Sequence, residues 1–261
     1  MEASERFAAI VRGPEPALRL DEAALTIAAH RYPQLDVAAQ LSRLDDLAAG
    51  CPGPTLDQLL AHLFIALGFT GDRLTYDDER NAFLNDVLDR RTGLPITLAV
   101  VTLEVGRRIG VPLAPVGMPG HFLLRDRVDP TVFIDPFAGG RIIDAEGAAA
   151  LHRALHGSSA HLEPEHLAPV GGRAVVARIL TNLDVRYRAA GRTADRVWVQ
   201  RLLTAVPGIP VEQRRVLAGT LAALGRFDHA AAELEAAADL SAGADADALR
   251  SAARALRARL S

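Results

Sequence analysis

The apolar positions of the first hundred residues recur at helical spacing. In ALRLDEAALTIAAH, residues 17–30, Leu20, Ala24, Ile27 and Ala28 fall on one face, and Tyr32-Pro33 stops the run. VAAQLSRLDDLAAG predicts a second helix closed by Gly50 as a C′ glycine. Thr55 is placed to cap a third helix reaching Leu67. GFTGDRLTYDDER, residues 68–80, is rich in turn residues, and Asn81 to Leu88 reads as a short helix. RRTGLP breaks the pattern. Pro95 then opens a long apolar helix to about Ile109, ended by Gly110; proline suits a first helical position because that N–H has no intrahelical partner.

Beyond Gly110 the period changes. PLAPVG, HFLLR and TVFID are short, apolar and bounded by Gly or Pro, the signature of strands. From about Arg173 the pattern is helical again, with no strand signal. The chain therefore reads as α+β. Residues 1–168 form a helical cap (about 1–54) and a core (about 55–168) with a small antiparallel sheet. Residues 169–261 form an all-α tail, with the boundary in HLAPVGG.

Composition narrows the chemistry. The 261 residues are 49% hydrophobic, enough for one large domain or two modest ones. The net charge of −3 argues against a nucleic-acid surface or an anionic membrane as partner. Every basic residue is arginine, which excludes Schiff-base lysine chemistry and a P-loop lysine. The single cysteine, Cys51, rules out an internal disulfide and CxxC metal motifs. No run is long enough to span a bilayer, and MEASERFAAIVRG has no signal-peptide pattern; the expectation is a soluble, cytoplasmic protein with no cofactor.

One histidine stands out. In MPGHFLLR, His121 sits between a Pro-Gly turn and an apolar strand. If HFLLR and TVFID pair as a hairpin centred on Val128, Phe122 faces Ile134 and His121 faces Asp135. Opposed side chains are then close enough for an imidazole–carboxylate hydrogen bond. Such a carboxylate fixes the tautomer and stabilises the imidazolium, as the third member of a catalytic triad does, but it is equally a structural bond. The nucleophile of such a site belongs at the N-terminus of the helix opened by RTGLPITLAVV.

LDEAALTIAAHRYPQLD, LDDLA, NAFLNDVLDRRTGLPITLAVVTLEVGRRIGVPL, VGMPGHFLLR and FIDPFAGGR, in this order, resemble the SirB1 family, a transglutaminase-like group, over about residues 18–240. The resemblance implies a papain- and transglutaminase-like core. In enzymes of that fold a cysteine opens the central helix and a His and an Asp follow on adjacent strands. His121 and Asp135 match the latter two positions, whereas Pro95 occupies the cysteine position.

Other residues could supply chemistry. Thr97, within the first turn of the helix, offers a hydroxyl, or bonds to its own backbone. Cys51 lies between Gly50 and Pro52-Gly53 and reads as a surface loop residue. Asn81, where the family also has Asn, is a helix N-cap, or else orients His121 or lines a cleft. Glu104 lies two turns beyond Thr97 on the same face; buried there, it needs a partner, expected to be an arginine. His152 and His156 share a helix face beside His161 and His166, but no HExxH or matching carboxylate accompanies them, so a solvated helix end is expected rather than a metal site.

LAALGRFDHAAAELEAAADL resembles one tetratricopeptide repeat, and RILTNLDVRYRAAGRTADRVWVQRLLTAVPGIP has a similar helix-turn-helix length upstream. The functional expectation is a degenerate, non-catalytic transglutaminase-like protein that acts as an interaction or regulatory module, with an unidentified protein or peptide bound by the helical tail. The alternative is a hydrolase or acyltransferase using His121 and Asp135 with Thr97 or water as nucleophile.

Overall fold

A computed structural model describes residues 3–260; Met1 and Ser261, at the ends of the two expected domains, lie outside that range. The residues fall into two compact units, one up to Ile179 and one from Leu180 onward.

The first unit is built round one helix. Helices α1 (Ala3–Arg12), α2 (Leu20–Arg31) and α3 (Val37–Ala49) precede α4 (Leu56–Leu60), which runs on as a π-helical turn over Ala61–Ala66. Two-residue strands β1 (Thr70–Gly71) and β2 (Thr92–Gly93) pair in parallel on either side of α5 (Leu84–Arg90). Helix α6 (Pro95–Ile109) follows, then β3 (Leu113–Val116), β4 (Leu123–Asp126), β5 (Phe133–Asp135), β6 (Arg141–Ile143) and α7 (Ala145–His156). Strands β3 to β6 form one antiparallel meander in chain order. Eleven of the fifteen residues of α6 are buried, so it is the hub against which α2, α3, α5 and the sheet pack.

Local chemistry explains most of these boundaries. Asp36 caps α3 by accepting the Ala39 N–H at 3.0 Å, and Thr55 caps α4 from Gln58. Pro95 opens α6 and Gly110 closes it in the left-handed region at φ 81°. Gly50 also closes its helix, but at φ −77°, so the expected left-handed cap is absent. The third helix is not uniform, because π-helical bonding takes over at Ala61. Strands β1, β2 and β6 carry too few residues to show an alternation.

The second unit holds the later part of α8 (Gly172–Ala189), which contains the division, with α9 (Thr193–Ala205), α10 (Glu212–Ala223), α11 (Phe227–Asp239) and α12 (Gly243–Arg257). Gly225, at φ 71°, makes the turn in LGRF that joins α10 to α11. Small side chains bring α10, α11 and α12 together round Leu217, Leu221, Ala230, Leu234 and Leu249. No described helix is long and apolar enough to cross a membrane.

Candidate functional site

His121 is set by the turn before it. Pro119 and Gly120 are the central residues of a turn closed by the His121 N–H on the Met118 carbonyl at 3.1 Å, and Gly120 takes φ 74°. Met118 is fully buried and anchors the turn in the sheet core. His156 of α7 reaches the same turn, its Nε2 lying 3.1 Å from the Pro119 carbonyl oxygen. A Cβ on Gly120 would come within 2.5 Å of that Nε2 and displace the His156 ring, and the positive φ is the conformation that favours glycine here.

The hairpin pairs Leu124 with Ile134 and Arg125 with Phe133, so its centre is Asp129 rather than Val128. Asp129 sets this register by accepting from the Thr131 N–H and hydroxyl at the loop tip. The expected pairs Phe122–Ile134 and His121–Asp135 are therefore not opposite one another. The slip is two residues, which leaves every side chain on the face predicted for it. His121 approaches Asp135 diagonally instead, with Nε2 2.9 Å from Oδ1. Both side chains are buried, His121 retaining 7% exposure.

Asp135 Oδ1 is also the N-cap of the 3₁₀ turn Pro136–Ala138, accepting from Phe137 N at 3.0 Å and Ala138 N at 3.2 Å. An ionised carboxylate only accepts, so His121 donates through Nε2–H. Its Nδ1 has no hydrogen-bond partner among the described residues. The Phe137 ring meets His121 edge-on at 5.9 Å and Tyr76 at the same distance, with the Arg73 guanidinium 5.6 Å from its centre. Gly71 lies so close to Phe137 that a Cβ there would collide with the ring.

At the start of α6 the hydroxyl of Thr97 is fully engaged. Oγ1 accepts from Leu94 N at 2.9 Å and lies 2.7 Å from the Asn81 carbonyl oxygen, to which it donates. Thr97 is 1% exposed. The backbone-bonding role therefore describes its geometry. Asn81 is not a helix cap: it lies in the 3₁₀ turn Glu79–Ala82, and Phe83 is the N-cap of α5. Its buried amide instead donates to Asp72 Oδ2 at 3.0 Å and Thr75 O at 2.8 Å, and accepts from Arg90 at 2.8 Å. It ties the 72–78 loop to α5 and the root of α6, with no bond to His121.

Asp72 organises that loop. Burial disfavours its charge, yet bonds from the Thr75 hydroxyl and N–H, Asn81 and Leu74 N outweigh burial and hold the carboxyl well below the usual range. Asp72, Phe137, Tyr76 and Arg73 escaped the sequence reading; an Asp three residues before a Thr in a turn-rich segment was the available signal.

Glu104 has the arginine partners expected of it, Arg107 at 2.8 Å and Arg108 at 3.0 Å. Arg108 also bonds Asp21 at 2.7 Å and Asp45 at 2.7 Å, which ties α6 to α2 and α3. Burial, then the charge of Asp21, raises the Glu104 pKa, whereas bonds from Arg19 and Arg108 outweigh burial and lower that of Asp21. Cys51 is half-buried, its Sγ 3.4 Å from the Gly53 carbonyl oxygen. His152 is not solvated as expected: it is buried, its ring centre 4.5 Å from that of His156 with the two rings tilted by 44°, and its Nδ1 is unpaired. Among the described residues no three His, Cys, Asp or Glu are grouped to hold a metal ion.

Comparison with known proteins adds two kinds of relative. A UPF0162 protein of Xylella fastidiosa is 42% identical over 159 residues, 57% of this chain and 55% of that protein. A UPF0162 protein of Pseudomonas aeruginosa is 35% identical over 182 residues, 66% of each chain. Mouse F-box only protein 21 is 46% identical over 70 residues, 27% of this chain and 11% of its own length. The matched region thus spans about half to two thirds of the length of these bacterial relatives, 55% for the Xylella protein and 66% for the Pseudomonas protein. No solved structure matches. The model of the transglutaminase-like superfamily matches residues 20–181, which contain the buried His121–Asp135 pair and the helix behind it, and the chain belongs to that superfamily.

Proposed function

We propose that this chain is a non-catalytic transglutaminase-like module, similar in its motifs to the SirB1 family, that acts through interaction with other proteins. The observation that carries the reading is at the start of α6. Pro95 opens α6, the position at which the family resemblance implies a thiol, and proline has no nucleophilic side chain. The adjacent hydroxyl, Thr97, is sealed from solvent and engaged on both sides by backbone. His121 and Asp135 then serve the fold: they join the Pro119–Gly120 turn to the 3₁₀ turn after β5. The helices from α8 onward are read as tetratricopeptide-like and as the surface for a peptide partner. The likeness to a short part of F-box only protein 21 supports a module set within different chains.

The alternative is a hydrolase or acyltransferase in which His121 activates water, and the free Nδ1 favours it. The test incubates the purified protein with a glutamine-containing peptide plus an amine, and with activated esters. Turnover at the buffer rate is expected for the wild type and for His121→Ala alike. Turnover that disappears in His121→Ala would overturn the proposal and establish the alternative.

A further inference from the structure

A cavity of about 480 Å³ lies in the first unit, walled by Leu18, Leu20, Leu103, Val111, Leu113 and Val170. Its size falls within the range of small-molecule sites. Four charged side chains also reach it. Glu104 is held by Arg107 and Arg108, and Glu15 by Arg173 at 3.2 Å. Arg127, at the start of the β4–β5 loop, is exposed and has no side-chain hydrogen bond or ion pair among the described residues.

One wall is the open edge of the sheet. Strand β3 is the first in the order β3-β4-β5-β6, so one side of it is unpaired by any strand. Arg127 N donates to Pro112 O at 3.0 Å, and Ala114 and Val116 sit opposite Arg125 and Leu123. Hydrogen-bonded pairs alternate along an antiparallel ladder, so Leu113 and Pro115 turn their polar backbone groups to the free edge. The chain already uses part of that edge. Val170 N donates to Pro115 O at 2.9 Å, and Pro169 bridges Val116. Gly172 then begins α8 and leaves the edge, so the N–H and C=O of Leu113 face the cavity without a strand opposite.

We propose that this cavity binds a short extended peptide with an aliphatic side chain and a free C-terminal carboxylate. Its backbone continues the pairing that residues 169–170 begin, exchanging two hydrogen bonds with Leu113. Its side chain lies against Leu18, Leu103 and Val111. Its carboxylate meets Arg127, the one lining cation not already engaged by a protein carboxylate.

The test titrates the full chain with N-acetyl-alanyl-leucine and with its C-terminal carboxamide, followed by calorimetry. Saturable binding is expected, with the acid preferred over the amide by about tenfold, the worth of one charged hydrogen bond. Arg127→Gln should abolish that preference and leave amide binding as it was. Leu103→Trp should fill the cavity and weaken both; because it could also unfold the protein, Arg127→Gln, at an exposed loop position, keeps the test decisive. His121→Ala should bind as the wild type does, which separates this site from the His–Asp pair. Absence of saturable binding by the wild type, equal binding of acid and amide, or a preference that survives in Arg127→Gln would each overturn the proposal.

Discussion

Replacing Asp135 by alanine tests whether the His121–Asp135 pair serves the fold. Its carboxylate is 3% exposed and one oxygen, Oδ1, takes three hydrogen bonds: from His121 Nε2 at 2.9 Å, Phe137 N at 3.0 Å and Ala138 N at 3.2 Å. Losing an N-cap costs about 1 kcal/mol. Leaving the buried imidazole N–H without an acceptor costs roughly 1–3 kcal/mol more. The sum is about 3 kcal/mol for Asp135→Ala. Asp135→Asn keeps an oxygen that can accept all three bonds and loses only their charge assistance, about 1 kcal/mol. The assay is urea unfolding followed by far-UV ellipticity, with amide hydrogen exchange at Phe137 and Ala138 to place the loss at the 3₁₀ turn. A loss under about 1 kcal/mol for alanine, or an asparagine variant as unstable as the alanine one, would refute the assignment. A gain in stability would be more telling still, since groups held for chemistry rather than for the fold commonly stabilise a protein when removed.

Arg108→Met should cost about 3 kcal/mol at pH 7, the lower end for breaking a buried ion pair, because Arg19 and Arg107 still face Asp21 and Glu104. Asp21 has a lowered pKa, so its contribution is present above the usual carboxylate range and lost as pH falls through the lowered value; Glu104, with a raised pKa, becomes neutral first on acidification. The gap between wild type and variant should therefore narrow from pH 7 towards pH 4 in urea melts, and a gap that widens contradicts the cluster's role. Thr97→Val should destabilise by roughly 1–3 kcal/mol in the same assay, because it orphans the buried Leu94 N–H; a neutral effect would mean that the Thr97 hydroxyl is not engaged as described.

Elements whose cause is local were legible along the chain. The helix opened by Pro95 and ended by Gly110, the Thr55 cap and the strands flanking His121 are written in short-range patterns, because caps, prolines and alternation act within a few residues. The proximity of His121 and Asp135 was legible for a related reason: an error of two residues in register preserves the face of a strand. Tertiary structure decided what depends on distant partners. The Asn81 amide found Asp72, Thr75 and Arg90, and Thr97 found the Asn81 carbonyl, sixteen residues away, which leaves its hydroxyl bound to backbone. The same holds for Arg108, which gathers carboxylates from three helices, and for the open edge of β3, which exists because the chain turns into α8 at Gly172. A residue's spacing states which neighbours are possible along its own element; only packing of one element on another selects the partner and settles whether a polar group is free to react or is tied down.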